Sequence, residues 1–143
     1  MDKALNYLSL ARKAGRAELG EEPVAAAIRA QHAHLVLVAS DASDHTWRRV
    51  KSLISGTEQQ CLRFPYTKDE MGMAIGRTSL AVAAITDPAL ALSLTESLGQ
   101  SEAHKNILET LRQRVQKLRQ RSSEAKAHQR NRRKGKTAAK KNG

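Results

Sequence analysis

The sequence predicts an α/β protein with helices on both faces of a sheet. Two apolar runs, residues 34–39 (HLVLVA) and 79–85 (SLAVAAI), have the unbroken hydrophobic character of strands buried on both faces. Between the extended pieces lie stretches whose apolar residues recur at spacings of three and four, the period of a helix packed on one side. At least four strands and four helices alternate within the first 98 residues. That alternation is how a sheet covered by helices is written. A chain of 143 residues accommodates one such domain and an appendage.

Taken in order, residues 2–14 form a helix with Leu5, Leu8 and Ala11 on one side, and Gly15 closes it where a left-handed residue is favoured. Residues 16–20 are a short extended piece. A second helix opens at Glu22-Pro23, because proline suits a first turn whose N–H groups lack partners; it turns Val24, Ala27 and Ile28 inward and stops near Gln31. The strand over 34–39 follows. Ser43 and Asp44 sit where a helix cap belongs, and residues 44–54 read as the next helix. Residues 60–64 (QCLRF) are a strand ended by Pro65, residues 68–75 a short helix, and residues 79–85 the second buried strand. Asp87-Pro88 repeats the cap-then-proline signal and opens a helix to Leu98.

Residues 98–101 mark a boundary, which divides the chain into a body over 1–98, an amphipathic helix over 99–124 and a tail over 125–143. Leu108, Leu111, Val115 and Leu118 make one helical stripe about two heptads long, short of the three or four that argue for a coiled coil. Such a helix either packs loosely on the body, frays alone, docks a partner or self-associates. From Ala125 onward there is no large apolar residue, so the tail is expected to be disordered.

Charge follows the same division. The 25 Lys and Arg exceed the 14 Asp and Glu, for a formal charge of +11. Residues 1–98 hold 11 of each sign and are neutral, whereas the last 45 hold 14 basic residues against Glu102, Glu109 and Glu124. A basic segment on a neutral body points to a polyanion. Nucleic acid fits better than lipid, because a membrane-surface helix needs Trp, Phe or Leu opposite its cations and the terminal segment has none. The tail cations Arg130, Arg132, Arg133, Lys134 and Lys136 are the candidate phosphate contacts.

Other classes lose support. No apolar run reaches the ~18 residues of a membrane span, and the amphipathic pattern beginning at Asp2 leaves no signal-peptide pattern, so a cytoplasmic location is expected. Cys61 is the only cysteine, which removes disulfides and thiolate zinc sites. Aromatics are Tyr7, Trp47, Phe64 and Tyr66 alone, too few on one strand to stack bases. Residues 72–78 (GMAIGRT) approximate a phosphate loop but have three residues between the glycines instead of four and an Arg where the Lys belongs. His32 and His34, with Asp41 or His45, lack a third metal ligand at credible spacing. Asp41, Ser43 and His45 are adjacent, but Ser43 and Asp44 are explained by capping. Glu21-Glu22 are explained by the helix dipole. No catalytic constellation, metal or cofactor is expected.

The segments LNYLSLARKAG (5–15), GEEPVAAAIR (20–29), LVLVASDAS (35–43) with Thr46, IGR (75–77) and AAITDP (83–88) occur together in this order. The chain resembles the ribosomal L7Ae/L30e superfamily in these residues, and most of all its small bacterial YlxQ-like branch of ribosomal-protein-like RNA-binding proteins. The resemblance covers residues 3 to about 95 and excludes the tail. It implies a three-layer α/β/α sandwich with a four-stranded mixed sheet. It also implies two RNA-contacting surfaces. The loop and first turn of the second helix correspond to Gly20, Glu22, Pro23 and Ala26; the loop before the last strand corresponds to Gly76, Arg77, Thr78 and Ser79. Kink-turn binders of the family carry Asn, Glu and Lys where this chain has Glu22, Pro23 and Ala26, so donors to phosphates and base edges are lost and a carboxylate is gained. Arg29, with Arg12, Lys13 and Arg16, is a candidate basic edge beside that loop, although each is equally well a solvated surface charge.

The resulting expectation is a non-enzymatic RNA-binding protein of ribosomal type, whose partner is structured, ribosomal RNA or the ribosome itself, with the tail adding phosphate affinity. The alternative is a protein-interaction module with a decayed RNA site, docking through residues 101–124.

Overall fold

A computed structural model describes residues 2–99 and 102–142, with side chains for 2–99 and 102–126. The first helix α1 (Lys3–Lys13) leads into β1 (Ala17–Leu19), and α2 (Glu21–Arg29) into β2 (Leu35–Val38). There follow α3 (Asp44–Ile54), β3 (Gln60–Arg63), α4 (Lys68–Ala74), β4 (Val82–Ile85), α5 (Pro88–Ser97) and α6 (Glu102–Asn142). The four strands form one mixed sheet in the order β1-β4-β2-β3, with β2 and β3 parallel and the other pairs antiparallel. Helices α2 and α3 pack together on one face, and α1 packs with α4 and α5 on the other. This is the α/β/α sandwich that the resemblance implied.

Strand registers define two poles. Val38 pairs with Val82 at one, where the Gly20 N–H also meets the Val82 carbonyl at 3.1 Å; we call this the loop pole. At the other, Leu35 lies between Ile85 and Gln60, and Ile85 also pairs with Ala17; this is the helix pole.

The central strands β2 and β4 are buried throughout, as their apolar runs predicted. Leu8, Ile28, Leu35, Leu37, Phe64 and Ile85 are among the large side chains fully withdrawn from water, each contributing about 1.5–3 kcal/mol of hydrophobic stabilisation. Caps fall where polar residues precede apolar periodicity: Ser43 Oγ accepts from the Thr46 N–H, and an Asp87 carboxylate oxygen from the Leu90 N–H at 2.8 Å. One buried amide stitches the helix pole. The Gln59 side chain accepts from the Ala33 N–H at 3.1 Å and donates to the Ile28 carbonyl at 3.0 Å.

Three boundaries differ from the sequence expectation. β4 starts at Val82, three residues later than expected, because the Leu80 N–H donates to the Lys68 carbonyl and not to a strand neighbour. α2 ends at Arg29 because Gln31 turns left-handed, at φ 58°. α6 continues as helical backbone past Glu124 to Asn142; its Ala, Lys, Arg and Gln content supplies strong helix formers with no apolar face to bury. The expectation of disorder over 125–143 falls on residues whose side chains, from 127 onward, lie outside those described.

The first part of α6 lies along α5. Ile107, Leu108, Leu111 and Val115 are all buried, Leu111 completely, while Leu118 is 48% exposed. The apolar stripe thus packs firmly on the chain's own body as far as Val115, which leaves Leu111 and Val115 unavailable to a partner. α5 begins just after Ile85, at the helix pole, and α6 returns to that pole, where Arg114 Nη1 meets His34 Nδ1 at 3.2 Å and Arg114 Nη2 donates to the Glu58 carbonyl. Residues 116–126 beyond it are all exposed.

Candidate nucleic-acid interface

The two surfaces singled out in the sequence meet at the loop pole. Gly20 is the N-cap of α2 at φ 96°, a conformation that only glycine takes without strain. It has no side chain to offer the helix end and no side chain caps it; Pro23 has no N–H, which leaves those of Glu21 and Glu22 without a side-chain cap. Antiparallel pairing of β1 with β4 brings this cap beside Val82, three residues after Ser79.

Glu22 and its neighbour Glu21 are not free carboxylates. Arg49 on α3 reaches Glu22 Oε1 at 3.2 Å and Glu21 Oε2 at 3.9 Å, and the Thr46 hydroxyl donates to Glu21 Oε1 at 3.0 Å. One guanidinium thus offsets one of two carboxylates, so the repulsion that Glu22 exerts on a phosphate is reduced and the cluster keeps a net negative charge. Exposed pairs of this kind stabilise a fold by under about 1 kcal/mol, so the effect of the cluster is on local charge more than on stability. Pro23 and Ala26 are exposed on α2 and offer no hydrogen-bond donor from their side chains.

Gly76, Arg77, Thr78 and Ser79 are all exposed, in a short loop between α4 and β4. Its shape is set from beneath. The Arg77 N–H donates to the Gly72 carbonyl at 2.8 Å, and a Cβ on Gly72 would lie 2.7 Å from the Ser79 nitrogen and 2.9 Å from the Arg77 carbonyl oxygen. Gly72 therefore belongs to the site as the residue that lets the loop sit down on α4. Buried Leu80 anchors its other end.

Arg29 is not part of this site. It closes α2, eight residues and about 12 Å of helix from Glu21, and so belongs to the helix pole. Arg16 lies there too, its carbonyl accepting from the Thr86 N–H at 2.9 Å. The basic edge expected beside the Gly20 loop thus stands at the other end of the sheet. The tail residues Arg130, Arg132, Arg133, Lys134 and Lys136 have side chains outside those described. Around α3, Trp47 carries Arg63 over its ring at 4.9 Å and Lys51 at 5.5 Å, which holds those cations in place. Among the described residues no cluster of three or more His, Cys, Asp or Glu could hold a metal, and no helix is long and apolar enough to cross a membrane.

Sequence reasoning missed Arg49, Gly72 and Arg114. Only Gly72 had a readable signal, a glycine inside a helix four residues before another at the helix end.

Comparison with known proteins agrees with this fold. The ribosomal protein L7Ae/L30e/S12e/Gadd45 family matches residues 2–95. The RNA-binding protein YlxQ of Enterococcus faecium is 39% identical over 75 residues, 52% of this chain and 72% of that protein. A protein of unknown function from Bacillus halodurans superposes with a TM-score of 0.65 at 25% identity, over 70% of this chain and all of that one. The Giardia lamblia 15.5 kD RNA-binding protein has the same fold, with a TM-score of 0.56 at 21% identity over 69% of this chain and 84% of its own.

Proposed function

The chain belongs to the ribosomal protein L7Ae/L30e/S12e/Gadd45 family, and on that premise we propose that it is a non-enzymatic, cytoplasmic RNA-binding protein of ribosomal type. The observation that carries this reading is the convergence, at one pole, of the Gly20 helix cap with the exposed loop of Gly76, Arg77, Thr78 and Ser79. Backbone N–H groups at a bare helix start, beside a loop carrying one cation, suit phosphates and the sugar edge of a folded RNA. With Glu22 paired to Arg49 and no Lys at position 26, that pole positions an RNA more than it reads base edges. Kink-turn recognition of the usual family type is accordingly weakened, and ribosomal RNA in its folded context is the partner we infer.

The basic tail contributes affinity of a different kind. If about six of its cations reach phosphates, the logarithm of the binding constant falls against the logarithm of salt with a slope of roughly −5. Salt titrations with structured ribosomal RNA test both parts, comparing the full chain, a chain ending at residue 126 and Arg77→Glu. The expected result is a flatter slope for the shortened chain and weaker binding at every salt concentration for Arg77→Glu. Full affinity in both variants together would overturn the reading. Shortening to residue 98 is not a usable comparison, because it strips Ile107, Leu108 and Leu111 from the core.

A further inference from the structure

An open, groove-like cavity of about 560 Å³ runs along α2 between the two poles. One wall is the exposed flank of the helix, Pro23, Ala26 and Ala30; Arg16 and Glu18 rise from the edge strand, and Gln31, His32, His34 and Thr86 close the far end. Its volume lies within the range of ligand sites.

Two features bear on what this cavity can hold. First, the exposed side chains of Arg16, Glu18, Gln31 and His32 make no hydrogen bond or ion pair among the described residues, so their donors and acceptors are open to a ligand, whereas Glu21, Glu22, Thr46 and Arg49 on the other side of α2 are engaged with one another. Second, Gln31 holds a left-handed backbone at φ 58°, where the ends of α1 and α5 use Gly15 and Gly99. A side chain kept where glycine is easier marks a position worth a functional question.

We propose that this cavity receives one unpaired adenosine of the bound RNA. The inference rests on the RNA-binding reading above and extends it beyond the loop pole. The flat, small-residue flank of α2 admits the face of a base. The Gln31 amide offers a donor and an acceptor side by side, the pairing that suits adenine. Glu18 accepts from an exocyclic amine, and Arg16 meets the phosphate. The Arg114 contact to Nδ1 orients the His34 ring at the cavity's end, so the docked α6 helps to shape it.

The test uses the full chain and two RNA hairpins that differ only in a single unpaired nucleotide, adenosine or uridine, with adenosine 5′-monophosphate alone as a third probe. The adenosine hairpin is expected to bind about tenfold more tightly than its uridine counterpart. Ala30→Leu, which fills the cavity from an exposed position, should erase that preference. Gln31→Gly should erase it as well while raising the thermal midpoint, a combination that a purely structural Gln31 would not give. Equal binding of the two hairpins, or a preference that survives Ala30→Leu, overturns the proposal and leaves the RNA-binding reading standing. Adenosine monophosphate binding as tightly as the hairpin would mean a free nucleotide and would also overturn it. If neither hairpin binds, both readings fall together.

Discussion

The two poles of the sheet solve the problem of an anionic partner in opposite ways. At the loop pole the means are geometric: a glycine helix cap, a loop seated on Gly72, and a carboxylate pair bridged by Arg49. At the helix pole the means are charge and length. Arg16, Arg29 and Arg114 gather there, and α6, 41 residues and so about 60 Å long, leaves the body from it carrying the basic excess. A net charge of +11 therefore describes one end of the molecule. On the function proposed above, the affinity that salt can screen is assigned to the helix pole and the affinity that depends on shape to the loop pole. A single RNA engaging both must span the sheet.

The sharpest way to break this comparison is to detach the helix pole. Leu111→Asp places a carboxylate in a fully buried position between α5 and α6. It should cost about 4 kcal/mol or more, since a large-to-small loss is compounded by a desolvated charge. Leu118→Asp, on the same stripe but half exposed, should change stability by less than about 0.5 kcal/mol. Urea unfolding of the two variants measures the contrast; equal costs would mean that the stripe is not divided at Val115.

Gly72→Ala addresses the loop pole. A methyl group 2.7 Å from the Ser79 backbone nitrogen forces α4 and the loop apart, for about 1–3 kcal/mol of destabilisation. Because the shift moves Arg77 and Ser79, RNA affinity should drop at every salt concentration with the slope unchanged. A variant that lost stability and kept full RNA affinity would disconnect the loop from binding.

Acid should loosen the helix pole selectively. Burial, reinforced by the Arg114 charge and opposed by Asp87, holds the His34 imidazole below its ordinary value of about 6.5. The unfolded chain then binds the proton more readily than the folded one, so stability rises with pH. The contribution is complete above about pH 6.5 and is lost as pH falls from there through the lowered folded value. Urea midpoints compared at about pH 8 and pH 5 should fall less in Arg114→Met than in the parent chain.

What the sequence disclosed and what it withheld divide along chain distance. The alternation of elements, the two buried strands, the Ser43 and Asp87 caps and the Gly15 helix end were all readable, because each rests on neighbours within a few residues. Arg49 was not, since its partner Glu22 lies 27 residues away. Arg114 was further out of reach, 80 residues from His34. The stripe from Leu108 to Leu118 gave the face of α6 correctly but not where the body stops covering it, because periodicity continues unchanged past Val115 into solvent. The resemblance put Gly20 and Gly76 on two RNA-contacting surfaces, yet nothing local put these at one pole or Arg29 at the opposite one; the latter follows from the length of α2.

The smallest effect tests whether the loop pole can be returned to base reading. Glu22→Asn and Ala26→Lys supply the side chains that kink-turn binders of the family carry at these positions. Stability should shift by under about 1 kcal/mol, because the exposed Arg49 pair is all that Glu22 gives up. Released from Glu22, Arg49 still has Glu21 within 3.9 Å, so its position is retained while the cluster becomes neutral and no longer repels phosphate. Affinity for a kink-turn RNA should rise in the double variant and leave the salt slope of the tail nearly as it was, apart from the added lysine. The measurement is a salt titration against a kink-turn and a plain duplex of equal length. A gain shared equally by the two RNAs would show that the new cation, and not restored shape recognition, accounts for it.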